Sequence, residues 1–162
     1  MRSIVLSLGL FPPALLFSQK TAEEIHKMHQ DPKAYIAELE NPRREAEQKP
    51  GEVIAALGLK SGETLADIGA GSGYFAFRFA RCVGNAGRVY AVEINPDMVL
   101  YMSRHIRDLK LSNVVTVLSD PDDPLLPDRA IDRFFICNTW HHIENKTKYL
   151  SLMKKCSSRE AR

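Results

Sequence analysis

Cysteine is scarce in this chain, and its three copies stand far apart: Cys82, Cys137 and Cys156 form no C-x-x-C pair. An odd number at wide intervals indicates neither a disulfide framework nor a structural zinc site. Cys137, inside an apolar run, reads as a small core residue. Like charges form no block and the net charge is only +2, so there is no electrostatic case for a nucleic-acid partner. Internal repeats and low-complexity tracts are absent. The apolar stretch at residues 4–17 is too short to cross a bilayer comfortably, and Pro12-Pro13 would break a spanning helix. Stable membrane insertion is therefore not expected. What is present is ordinary: 162 residues, 44% apolar and 26% charged, suit one globular domain with a real core.

The chain divides into three parts. Residues 1–19, "MRSIVLSLGLFPPALLFSQ", have a basic residue at Arg2, a short apolar middle and small Ser18 near a cleavage point. That is the plan of an export signal, the alternative being a loosely packed N-terminus on a cytoplasmic protein. Residues 20–60 read as a helical lead-in. Thr21 and Glu24 make a capping-box pattern, Pro32 and Pro42 punctuate the middle of the segment, and Pro50 starts a helix with Val53, Ile54 and Leu57 on one face. Gly58 falls where that helix should end. His26 and His29 share a helix face with no third ligand placed beside them, which favours a solvated helix.

From residue 61 the rhythm alternates. Strands are predicted at 64–68, 88–93, 114–118 and 132–137, with helices at 74–83, 95–109 and 147–156. Phe75, Phe79 and Cys82 mark the buried stripe of the first of these helices. Asn95 caps the second, Pro96 opens it, and Val99, Met102, Ile106 and Leu109 form its inner face. Three of the strands are nearly continuous in apolar residues, as expected where helices cover both faces of a parallel sheet. The fold class is α/β, a doubly wound parallel sheet.

In such a sheet ligands bind beyond the carboxyl ends of the strands. The first strand runs into Gly69-Ala70-Gly71-Ser72-Gly73, where glycine permits positive φ and close approach to the backbone. The next helix aims its first N–H groups at the same place. The third glycine comes one position too early for G-x-G-x-x-G, with Tyr74 in the expected place, and no Gly-Lys-Ser/Thr comes after it. A dinucleotide fingerprint and a P-loop are both missed, which leaves an NAD-dependent oxidoreductase as a weaker reading. Asp67 at the loop's entry repels pyrophosphate and suits a ligand with a positive amine. Glu93, ending the second strand, suits ribose hydroxyls. A nucleoside with a cationic amino-acid arm meets both demands, and S-adenosylmethionine is such a molecule.

"LADIGAGSGYFAFRFA", "RVYAVEINPDMV", "NVVTVLSDPDDPLLP" and "IDRFFICNTWHHIEN" stand in the order found in class I S-adenosylmethionine-dependent methyltransferases, which the chain resembles from about Gln48 onward. The upstream "QKPGEVIAALGLKSGE" is similar to the lead-in of their small-molecule branch. The resemblance implies a Rossmann-like domain over residues 61–162 and S-adenosylmethionine as cofactor. It implies cofactor contacts from Asp67, Gly69, Ala70, Gly71, Gly73, Glu93, Ile94 and Asp120, and from the backbone of Asn138. His141 and His142 fall where acceptors approach, and either could take a proton. Asp120, Asp122 and Asp123 could in principle gather a metal, but a polar loop is the better reading and no metal is expected.

The family sheet has more strands than this chain supplies, so the sheet is expected to be incomplete, with about four strands, and the chain to be a shortened methyltransferase. Its fourth strand would lie at an edge open to self-association. Two functions stay open on the sequence: methyl transfer to an unidentified small molecule, or a non-catalytic nucleoside-binding fragment.

Overall fold

The computed structural model describes residues 31–158. The signal-like stretch, the capping box at Thr21 and Glu24, and His26 and His29 lie outside them.

Prolines set the lead-in. Three short helices begin at or beside them: α1 (Pro32–Leu39), α2 (Arg43–Gln48) and α3 (Pro50–Leu57). The Asp31 carboxylate accepts from the Lys33 and Ala34 N–H groups at the start of α1, and Gly58 ends α3 at φ 54°. None of these helices fully buries a side chain other than Pro50, so their place comes from docking rather than from a core of their own.

The sheet comes next: β1 (Thr64–Ile68), β2 (Arg88–Glu93), β3 (Val114–Leu118) and β4 (Arg133–Ile136), all parallel in the order β3-β2-β1-β4. Between them run α4 (Ala76–Val83) and α5 (Pro96–Asp108), and α6 (Lys146–Cys156) closes the described chain. The alternation of β1 separates two cores. Leu65 faces α4, where Phe75, Phe79 and Phe135 meet with ring centroids 4.9–5.7 Å apart. Ala66 and Ile68 face Tyr149 and Met153 of α6. Helices therefore cover both faces, as the doubly wound reading requires.

Three expectations need correction. Leu109 is 44% exposed, and the inner face of α5 is completed instead by fully buried Met98. β3 is an edge strand, so Val115 and Leu118 reach solvent despite its apolar sequence. Cys137 is only half-buried, its Sγ 3.5 Å from Gln48 Oε1, although burial still pushes its thiol up.

β4 pairs with β1 alone among the named strands. The chain just after α6 nevertheless returns beside its start, where Ile131 N–H donates to Cys156 O (2.9 Å) and Ser158 N–H to Ile131 O (2.9 Å). The strand order reverses at β1, with β2 leaving on one side and β4 on the other. The crevice beyond that point is where an α/β sheet binds ligands.

Candidate functional site

Asp67 sits one residue from the end of β1, in register with Ala91 and Phe135, and is 3% exposed. Burial and, secondarily, the nearby Glu93 push its carboxyl up to about 7, against a hydrogen bond from the Ala76 N–H at the start of α4. A cation brought beside it would favour its ionised form.

Glu93 ends β2 and is 8% exposed. Its Oε1 accepts the N–H groups of Ile94 (2.9 Å) and Asn95 (3.0 Å), and its Oε2 accepts that of Gly71 (2.9 Å). These bonds aim the carboxylate and tie the glycine loop to the next strand. One lone pair of Oε2 stays available, enough for a hydroxyl donor.

The loop itself differs from the simplest reading of its glycines. Gly69, Gly71 and Gly73 have φ of 73°, 57° and 88°, so glycine is required for conformation. The room left by all three missing side chains is taken by the protein: Thr139 lies against Gly69, the Phe77 ring against Gly73, and Leu39 Cδ1 comes within 3.0 Å of a Cβ at Gly71. The N–H groups of Gly69 and Ala70 both donate to Val92 O, that of Gly73 to Ala70 O, and that of Gly71 to Glu93. These four loop N–H groups are spent inside the fold, while the buried Ser72 hydroxyl is left without a hydrogen-bond partner, and the first N–H of α4 goes to Asp67 rather than outward.

Two adjoining cavities open over this framework. The larger, about 420 Å³, is lined by Glu93, Ile94, Ser119, Asp120, His142 and Tyr149 among others. The smaller, about 250 Å³, is lined by Asp67, Ala70, Gly71, Arg44, Glu38 and Glu47 among others. Tyr35, Gly69, Asn138 and Thr139 belong to both. The larger is within the size range of small-molecule sites.

The sequence-predicted residues thus converge, with two exceptions. Gly73 lines neither cavity, and its role is to turn the chain. His141 also lines neither, whereas His142 does; their rings lie 3.9 Å apart in an exposed helical turn. Asn138 is held at φ 55° and borders both cavities. The acidic loop is satisfied by protein: Asp122 pairs with Lys148 at 3.3 Å, and Asp123 accepts the Leu125 N–H. No group of three or more His, Cys, Asp or Glu among the described residues is disposed to hold a metal ion. Sequence reasoning missed Tyr35, Arg44 and Thr139, which reach the site only through the way α1, α2 and the chain after β4 dock.

A family model for the methyltransferase domain matches residues 59–161. The chain belongs to the methyltransferase-domain family. Its resemblance to the class I enzymes holds in structure as well. The fold is similar to a SAM dependent methyltransferase from Aquifex aeolicus, with TM-score 0.73 and 32% identity over 78% of this chain and 67% of that one. The chain is 29% identical to a protein-L-isoaspartate O-methyltransferase of Fervidobacterium nodosum, over 59% of its own length and 48% of the relative's. It is also 29% identical to a ubiquinone/menaquinone biosynthesis C-methyltransferase of Psychromonas ingrahamii, over 62% and 40% respectively. The chain spans less than half the length of these two curated relatives. Among the described residues of this methyltransferase domain, no helix is long and apolar enough to cross a membrane.

Proposed function

We propose that this methyltransferase domain binds S-adenosylmethionine across the two cavities and directs its methyl group to a small-molecule acceptor. One observation carries the reading. Two buried carboxylates stand at the ends of adjacent parallel strands, joined by the glycine loop, with a cavity before each. Asp67 would take the cofactor's ammonium group, and Glu93 Oε2 a ribose hydroxyl. Ile94, 55% exposed at the cavity wall, offers an apolar surface to the base, with Asp120 at its edge. The residues present fit the cofactor: an acid suited to a cation lies beside one suited to a diol, and neither cavity is basic enough for pyrophosphate.

When bound, the sulfonium supplies an electrophilic methyl group. The protein's own task is proximity, alignment and exclusion of water. The four residues common to both cavities border the place where the two halves of such a ligand join. Tyr35 and Thr139 would close this point from opposite parts of the chain, and the Asn138 backbone, just past the end of β4, would orient the ligand. His142 rather than His141 would receive a proton from an acceptor, a choice supported by its bordering a cavity, which His141 does not.

Calorimetric titration with S-adenosylmethionine tests the cofactor reading. Glu93→Ala and Asp67→Asn are each expected to weaken binding about 10- to 100-fold, the effect of losing a charge-assisted hydrogen bond. Equal affinity in wild type and both variants would remove the assignment. Labelled methyl donor offered with a cell extract tests the acceptor: label is expected in the low-molecular-weight fraction, and label confined to protein would refute a small-molecule acceptor.

A further inference from the structure

Tyr149 of α6 carries a polar group that the fold leaves unused. The residue is 3% exposed and packs in one cluster with Ala66, Ile68, Ile143 and Met153. A buried tyrosine ordinarily gives its hydroxyl a hydrogen-bond partner. Among the described residues Tyr149 Oη has none. Nor is that oxygen sealed in the core, since Ser72 Oγ is the one side-chain N or O among the described residues that is both sealed and unpartnered. Tyr149 lines the larger cavity, and that is where its hydroxyl opens. Phenylalanine would fill the same space without leaving a polar group unpaired. Burial, then Asp123 and then Cys156, push the phenol up to about 12, so it stays protonated and keeps its donor.

The larger cavity has two dissimilar walls. Glu93, Ile94 and Asp120, at the ends of β2 and β3, are the wall that a nucleoside engages. Ile68, Ile143 and Tyr149 form the other, beside His142. His142 and Ile143 come one helical turn after Thr139, which borders both cavities, so this second wall adjoins the point to which the methyl group is directed. No lysine or arginine lines the larger cavity, whereas Glu93 and Asp120 do, which disfavours an anionic ligand. An apolar wall with a phenol donor suits a neutral molecule that presents an oxygen.

We propose that Tyr149 donates a hydrogen bond to the methyl acceptor and restricts it to neutral molecules bearing a hydroxyl or carbonyl oxygen on an apolar body. This rests on the cofactor reading above, because it assigns the wall that the nucleoside leaves uncovered.

The test pairs a change in the protein with a change in the ligand. Wild type and Tyr149→Phe are saturated with S-adenosylhomocysteine. Each is then titrated, by ligand-observed NMR, with cyclohexanone and with methylenecyclohexane, which has the same shape but a CH2 in place of the oxygen. The ketone can only accept, so a preference for it reports a donor on the protein. Wild type is expected to prefer the ketone about 3- to 10-fold, the effect of one neutral hydrogen bond. Tyr149→Phe should bind the two probes alike. It should also hold S-adenosylhomocysteine as tightly as wild type and melt no lower, because it loses only an unpartnered hydroxyl. Should Tyr149→Phe fail to melt cooperatively, Tyr149→Met, which adapts to irregular space, takes its place. A wild type without the preference overturns the proposal, as does a variant that keeps it. An equal fall in affinity for both probes, with a lower melting point, would make Tyr149 structural and overturns it as well. So does a variant that loses affinity for S-adenosylhomocysteine, since the hydroxyl would then serve the nucleoside. Failure of wild type to bind S-adenosylhomocysteine would instead refute the cofactor reading itself.

Discussion

The wall of the site built from the ends of β1 and β2 holds its carboxylates with backbone N–H groups, whereas the wall built from α1 and α2 holds the Arg44 guanidinium with the Tyr74 ring and the Leu39 carbonyl. The first wall is buried, and its atoms are placed by the sheet register. The second is half-exposed, and its anchor, the Arg78–Glu45 pair, has side chains 32% and 63% exposed. Backbone-held groups move only if the sheet moves. Groups held by exposed side chains can shift at little energetic cost. A methyltransferase has to admit a large cofactor and release its product, and of the two walls the lead-in wall is the one expected to yield.

The comparison predicts that damage to the sheet wall destabilises the whole domain. Gly69→Val is expected to have the largest effect. Its φ of 73° is hostile to a β-branched residue, and its Cβ would run into Thr139. Backbone strain and overpacking together should cost about 3–5 kcal/mol in chemical denaturation. A loss below about 1 kcal/mol would mean that the loop is far softer than its hydrogen bonds suggest.

Asp67 gives the next largest effect, visible as a pH dependence. Its carboxyl sits at about 7 in the folded chain against an ordinary 3.8. The folded state therefore holds a proton that the unfolded state has released between those values. Stability is greatest below about pH 4, falls as pH rises to about 7, and is level above it. Asp67→Asn should abolish this slope. The variant should gain on the order of 2–4 kcal/mol over wild type between pH 4 and pH 8 in urea denaturation. Parallel curves for the two proteins would show that Asp67 is not the buried acid inferred here. The same variant is expected to lose cofactor affinity, in which case a residue that costs the free fold stability would be one that serves binding.

Glu93→Gln ranks third, at about 2 kcal/mol, because an amide NH2 replaces one acceptor facing buried backbone donors. Thermal melts at neutral pH measure it. An unchanged midpoint would show that water satisfies those N–H groups unaided.

The sheet wall was legible in sequence because each of its residues answers to a local rule. Asn95 caps α5 and Pro96 opens it as expected, since capping needs only neighbours in the chain. Asp67 and Glu93 come into register because parallel pairing places strand ends together. The predicted helix at 74–83 begins two residues later, at Ala76, because Gly73 and Tyr74 are still turning the chain. The engagement of the loop's donors was not legible, for a physical reason: a buried N–H finds a protein acceptor before any ligand arrives. Arg44 and Tyr35 were invisible because α1 and α2 are short and carry no deep apolar stripe. Their positions depend on where they land, which no window of sequence encodes.

Glu45→Gln should therefore be the mildest change and the sharpest test of the contrast. It removes the carboxylate that accepts from Tyr74 Oη and pairs with Arg78 at 2.8 Å. Exposed pairs contribute about 0–1 kcal/mol, and glutamine can still accept from the tyrosine hydroxyl. Stability should fall by less than about 1 kcal/mol, with the loss shrinking in high salt. If the lead-in wall is the softer of the two, native-state hydrogen exchange should quicken over residues 32–48 while β1 and β2 keep their protection. Equal quickening in the strands would mean that the two walls open together, and the contrast between a fixed and a yielding wall would fall.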